Sequence, residues 1–132
     1  IDINKKAILE LKDERPAYNL IEGSILDFFD TNKVDLTFTK GVLIHINPDK
    51  LENVYKNLYE KSKKYICINE YYNPTPVKIN YRGHEDKLFK RDFCGEILEK
   101  YNDLKLVDYG FGYKNDPIFQ QDDMTWFLLE KT

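Results

Sequence analysis

The 132 residues are 33% charged and 42% apolar with a formal charge of −3, a balance that excludes a disordered polar tract and is enough to bury one core. That charge argues against general nucleic-acid binding, and no apolar run nears the roughly 20 residues that cross a bilayer. Cys67 and Cys94 have neither CxxC spacing nor a histidine pair, so no metal centre is expected and two buried, reduced thiols suit a cytoplasmic protein.

Ile1–Ile3 reads as the end of a strand, and Asn4 as the cap of a helix to about Asp13, with Ala7, Ile8 and Leu11 at helical spacing. Arg15-Pro16 ends it. A short strand over 18–21 is closed by Glu22-Gly23-Ser24, and 25–29 forms an apolar turn. Thr31-Asn32-Lys33 leads into a strand over 34–39. Pro48, after Asn47 as cap, starts a helix to about Lys63. Its apolar positions Leu51, Val54, Tyr55, Leu58 and Tyr59 make one face. Residues 65–69 form a buried strand. The stretch 73–87, with two prolines and a glycine, reads as a long irregular loop. A helix over 92–101 follows, then two strands over 104–113 and 124–130, antiparallel because the link is short. Trp126 and Phe127 are expected in the core.

The order β-α-β-β-α-β-α-β-β predicts one α/β domain over 1–132. Its sheet is expected to be Rossmann-like and mostly parallel, with helices on both faces and an antiparallel C-terminal strand. In such sheets ligands gather past the carboxyl ends of the strands, which directs attention to four tips. Asp2 can accept hydrogen bonds from ribose hydroxyls, or simply favour a helix start. Ser24 and Ile25 suit an adenine edge and face, or a plain turn. Lys40 and Gly41 end the central strand, and glycine permits close backbone approach to a ligand. His45 can take a proton near neutral pH, although a packed histidine is the blander reading.

Glu70 follows the next strand and could act as base or hold a sugar hydroxyl. Tyr71, Tyr72 and Asn73 continue that tip, the tyrosines offering flat faces to a sugar ring. Within 76–91, basic residues outnumber acidic ones, so Tyr81, Arg82, His84 and Arg91 are candidates for an anionic substrate, Arg82 through a bidentate contact. A solvated charged face is the alternative.

The blocks Glu22–Asp27, Thr39–Pro48, Glu70–Pro76, Tyr81–His84 and Gln121–Trp126 resemble class I S-adenosylmethionine-dependent methyltransferases. More narrowly, they resemble those associated with pseudaminic acid biosynthesis. The similarity runs along essentially the whole chain. It implies S-adenosylmethionine as cofactor, with Asp2 at the adenosine ribose, Ser24 and Ile25 at adenine and Lys40-Gly41 at the cofactor's amino group. The acceptor it implies is a small charged sugar or sugar nucleotide, with neither nucleic acid nor membrane as partner.

The sequence departs from that family in having no G-x-G loop after a first strand. The sheet is therefore expected to lack its first strand, leaving two edges open. A fragment of a longer enzyme, inactive by itself, is the resulting expectation. A truncated, non-catalytic binding module is the alternative. A nucleotide-sugar-modifying enzyme is a weaker third, lacking a dinucleotide fingerprint.

Overall fold

The computed structural model describes residues 1–27 and 32–132; the expected turn through Phe28 and Phe29, and the lead-in at Thr31, lie outside the described residues. The chain divides into two units, 1–31 and 32–132.

In the first unit, Asn4 caps helix α1 (Lys5–Glu14), its Oδ1 accepting from the amides of Lys6 and Ala7 at 3.1 and 3.3 Å. The helix has no buried residue, and the expected inward positions Ala7 and Ile8 are only half-buried. The strand expected over 18–21 reduces to one parallel bridge, Asp2 with Glu22. The Asp2 amide donates to the Ile21 carbonyl at 3.1 Å and the Gly23 amide to the Asp2 carbonyl at 2.9 Å.

The second unit holds strand β1 (Val34–Lys40), helix α2 (Leu51–Lys61), strands β2 (Ser62–Glu70), β3 (Val77–Tyr81) and β4 (His84–Lys90), helix α3 (Phe93–Lys100), and strands β5 (Leu104–Gly112) and β6 (Met124–Lys131). Four strands form one sheet in the order β1-β2-β6-β5. β1 and β2 run parallel, and β6 lies antiparallel to both β2 and β5. The result is an α/β fold with a Rossmann-like sheet, parallel at the β1 side and antiparallel around β6.

The core follows from two periodicities. Leu51, Val54, Tyr55 and Leu58 are buried along one face of α2, which packs on β1 and β2. Alternate residues of β2, Ile66, Ile68 and Glu70, are buried in turn, and Leu129 of β6 sits opposite Ile66. Each such Leu or Ile contributes about 1.5–3 kcal/mol by leaving water. α2 stops at Lys61, and the Lys131 ammonium donates to the carbonyls of Tyr59 and Ser62 at 2.5 and 2.7 Å. A cation at carbonyls the helix cannot pair itself is a favourable end. β2 begins there directly, three residues earlier than expected.

Two expectations need correction. Residues 77–90 are an antiparallel hairpin, with Tyr81 opposite His84. Its two-residue loop, Arg82 and Gly83, has φ of 50° and 81°, the left-handed pair that suits the twist of a tight hairpin. Turn geometry builds this ribbon more than burial does: only Leu88 and Phe89 within it are buried. Trp126 and Phe127 are half-buried, not core.

Candidate functional site

The residues most closely brought together lie where β1 ends. Gly41 takes φ of +62° and donates to the Asn69 carbonyl at 3.1 Å, turning the chain sharply off the sheet. A single 3-10 turn, Leu43–His45, follows with Leu43 and Ile44 buried. Asn47 then caps the next turn, its Oδ1 accepting from Asp49 at 3.0 Å, with Pro48 in the first turn.

The Leu43–His45 turn is gripped from beneath by Glu70 at the end of β2. One carboxylate oxygen accepts from the Val42 amide at 3.1 Å and the other from the Ile44 amide at 3.4 Å. Glu70 is 2% exposed. Burial pushes its carboxyl above the ordinary carboxylate range, partly offset by the amides of Leu43, Val42 and Ile44. This corrects the expectation of Glu70 as an open base or sugar ligand. Its side chain points into the core face of β2, and both oxygens are taken by the turn.

His45 rides on that turn and is exposed. Its Nδ1 lies 2.7 Å from the Lys87 carbonyl of β4, and its ring is 5.4 Å from that of Tyr81 at the hairpin tip. Arg82 extends from the same tip, its guanidinium 5.2 Å from the Tyr81 ring. His84, opposite Tyr81, is exposed. Gly41, His45, Glu70 and Tyr81 thus belong to one neighbourhood, with Arg82 at its rim.

The remaining candidates have partners of their own. Tyr72 turns toward Phe127, with ring centroids 5.9 Å apart, and pairs with Arg91 through a parallel bridge. The Lys90 ammonium sits 5.0 Å over the Tyr71 ring. Asn73 bonds within its own loop, to Thr75. Arg91 is committed inside the protein. Its Nε donates to Glu96 at 2.6 Å, and the other Glu96 oxygen accepts from the Tyr55 hydroxyl at 2.6 Å. Burial, with the Glu96 carboxylate second, raises the Tyr55 hydroxyl far above its usual value. Arg91 thus makes a structural ion pair through Nε while its two Nη groups keep their donors, and it lines a small cleft with Pro48, Pro76, Val77, Lys78 and Phe89.

In the first unit, the Asp2 carboxylate accepts from the Asn4 amide at 2.7 Å, and the Ser24 hydroxyl accepts from Leu26 at 3.1 Å. Each therefore serves its own turn while keeping acceptor capacity. Ile25 is half-buried beside Ser24.

Sequence reasoning missed two features. One is the Lys87 carbonyl, reachable only once 77–90 is read as a hairpin. Arg82-Gly83 between alternating Val77, Ile79 and Tyr81 was the available signal. The other is Asn69, whose buried Oδ1 has no partner among the described residues and which pairs with Lys40 across the strand tips. No group of three or more His, Cys, Asp or Glu capable of holding a metal occurs among the described residues. No helix among them is long and apolar enough to cross a membrane. A cleft of about 370 Å³ lined by Leu51, Glu52, Tyr55, Glu96 and Lys100, among others, contains none of the candidates.

The fold is that of class I S-adenosylmethionine-dependent methyltransferases. N-methyltransferase NodS from Bradyrhizobium japonicum superposes with a TM-score of 0.69 at 14% identity, over 98% of this chain and 70% of that one. The 1,6-didemethyltoxoflavin-N1-methyltransferase of Burkholderia thailandensis, solved with 1,6-didemethyltoxoflavin and S-adenosylhomocysteine, gives 0.69 at 11%, over 97% and 57%. Magnesium protoporphyrin IX methyltransferase from Synechocystis PCC 6803, with bound S-adenosylmethionine, gives 0.65 at 14%, over 98% and 57%. Across eight such structures this chain spans from 48% to 79% of the partner's length. No protein-family model and no curated protein matches the sequence.

Proposed function

We propose that the protein is an S-adenosylmethionine-dependent methyltransferase that methylates a hydroxyl or amine of a small, negatively charged sugar or sugar nucleotide. The observation that carries this reading is the placement of His45. In a methyltransferase fold it stands exposed on a braced turn just past the carboxyl end of β1, where open α/β sheets hold their ligands.

The residues present suit the cofactor. Asn69 contributes a buried oxygen without a partner among the described residues, an acceptor of the kind an ammonium group needs. Gly41 beside it donates to the Asn69 carbonyl, and a Cβ there would crowd Met124 at 3.2 Å. Within 32–132, Lys40, Gly41 and Asn69 would hold the aminoacyl end; for 1–31 it is the family resemblance alone that suggests Asp2 for the ribose and Ser24 and Ile25 for the adenine. When bound, the cofactor supplies an electrophilic sulfonium methyl group.

The chain's own contribution is position and proton handling. His45 would take the proton of the acceptor hydroxyl or amine, leaving that oxygen or nitrogen free for the methyl group the cofactor would supply. Tyr81 offers a ring face, and Arg82 a planar fork for a carboxylate or phosphate. The resemblance suggests Tyr71, Tyr72, Asn73 and His84 as further substrate contacts. The sugar as acceptor rests on the resemblance of the Glu70–Pro76 and Tyr81–His84 blocks together with the exposed cationic tip. The structural neighbours act on dissimilar molecules and do not select one.

Calorimetric titration of the full-length gene product with S-adenosylhomocysteine tests this. Saturable heat, weakened by Asp2→Ala, is expected. A folded protein that gives none overturns the assignment.

A further inference from the structure

The side chain that could move the proton is held by two separate devices, and their chemistry defines its state. A backbone carbonyl can only accept a hydrogen bond. At 2.7 Å from the Lys87 oxygen, His45 Nδ1 must therefore carry the hydrogen. In the neutral ring the lone pair then lies on Nε2, for which the described residues offer no bond partner. Beneath, Glu70 fixes the turn that sets where the ring starts, through the Val42 and Ile44 amides. From the side, Tyr81 packs on the ring at 5.4 Å.

From this geometry we propose that Glu70 and the β3–β4 hairpin are positioning elements for His45. Glu70 sets the turn, and the Lys87 carbonyl locks the neutral imidazole as the Nδ1–H tautomer, so that Nε2 is the atom that receives a proton from substrate. The proposal deepens the methyl-transfer reading and rests on it for the identity of the proton donor. It also explains why a strongly buried carboxylate stands at a strand tip without facing solvent. A glutamate there that merely filled space would not need one oxygen on the amide that precedes a three-residue turn and the other on an amide within it.

The tautomer can be read directly. Two-bond nitrogen–proton correlation spectra of the protein labelled with ¹⁵N-histidine distinguish Nδ1–H from Nε2–H rings, and the signals lost in His45→Gln are those of His45. At a pH where the ring is neutral, a predominant Nδ1–H pattern is expected, against the Nε2–H form that a free histidine side chain favours in water. Glu70→Ala should move the population toward Nε2–H, and Glu70→Gln, which keeps one acceptor oxygen, should restore part of it. Should Glu70→Ala fail to fold, Gly83→Val strains the hairpin loop from the other side and should shift the same signals.

A wild-type ring that is mainly Nε2–H overturns the proposal. So does a folded Glu70→Ala or Gly83→Val protein whose tautomer population is unchanged. Because the spectra need no cofactor, an Nδ1–H ring in a full-length protein that binds no S-adenosylhomocysteine would sink the methyltransferase reading and leave the positioning intact.

Discussion

The turn at 41–46 and the hairpin at 77–90 meet at one imidazole, yet they are built by opposite means. The turn is short, carries two buried side chains and is tied down by a carboxylate that is 2% exposed. The hairpin has mostly exposed residues and is shaped by its loop and register. One is expensive to alter, the other cheap. This division suits the proposed site, in which a proton-handling group stays fixed while the recognition surface can vary.

Removing the acceptor from the turn is the strongest way to break that contrast. Glu70→Ala leaves the Val42 and Ile44 amides without their carboxylate, which should cost about 2–4 kcal/mol of unfolding free energy in urea titration. Glu70→Gln should lose about half of that. If both variants unfold at the wild-type midpoint, the turn is held by its buried side chains alone.

On the hairpin side, Gly83→Val forces a branched side chain into φ of +81°, at a cost of about 1–2 kcal/mol. The effect should stay local. Amide exchange within 77–90 should quicken while β2 and β6 keep their protection, and loss of protection throughout the sheet would show that the hairpin is not separable.

pH sharpens the comparison further. Burial raises the Glu70 carboxyl above its ordinary value of 4.5, so the folded protein binds this proton more tightly than the unfolded chain. Its contribution to stability is complete below the unfolded value and is lost as pH rises through the folded one. The wild-type unfolding midpoint should therefore decline over that window more steeply than that of Glu70→Gln. Parallel curves would remove Glu70 as the source. The smallest effect belongs to Lys78→Ala, which deletes an ion pair with Asp86 at 2.9 Å between side chains 67% and 73% exposed. Its midpoint should match wild type within error.

The contrast also explains what the sequence disclosed. α2 was legible because Leu51, Val54, Tyr55 and Leu58 repeat at helical spacing and all four are buried. Strand β2 was legible in its apolar centre but not at Ser62–Lys64, where pairing with β1, not hydrophobicity, extends it. The hairpin escaped because its apolar residues are few and two prolines precede them. The turn itself was visible as a place; what anchors it was not. Glu70 lies 28 residues from Val42 in the chain, and no local pattern reveals that a carboxylate will spend both oxygens on someone else's amides. The Arg91 pair is local by contrast: its partner Glu96 lies five residues on, in the first turn of α3.

The two thiols give the molecule a built-in chemical clock. Burial pushes the Cys94 thiol of α3 up to about 12, and raises that of half-buried Cys67 in β2 as well. Cys94 is not a nucleophile at neutral pH while its surroundings stay closed, and Cys67 is a poorer one than a free thiol. Alkylation of Cys94 therefore reports how often α3 opens, so a pulse of iodoacetamide followed by mass spectrometry follows the breathing of that helix against half-buried Cys67, with no engineered label.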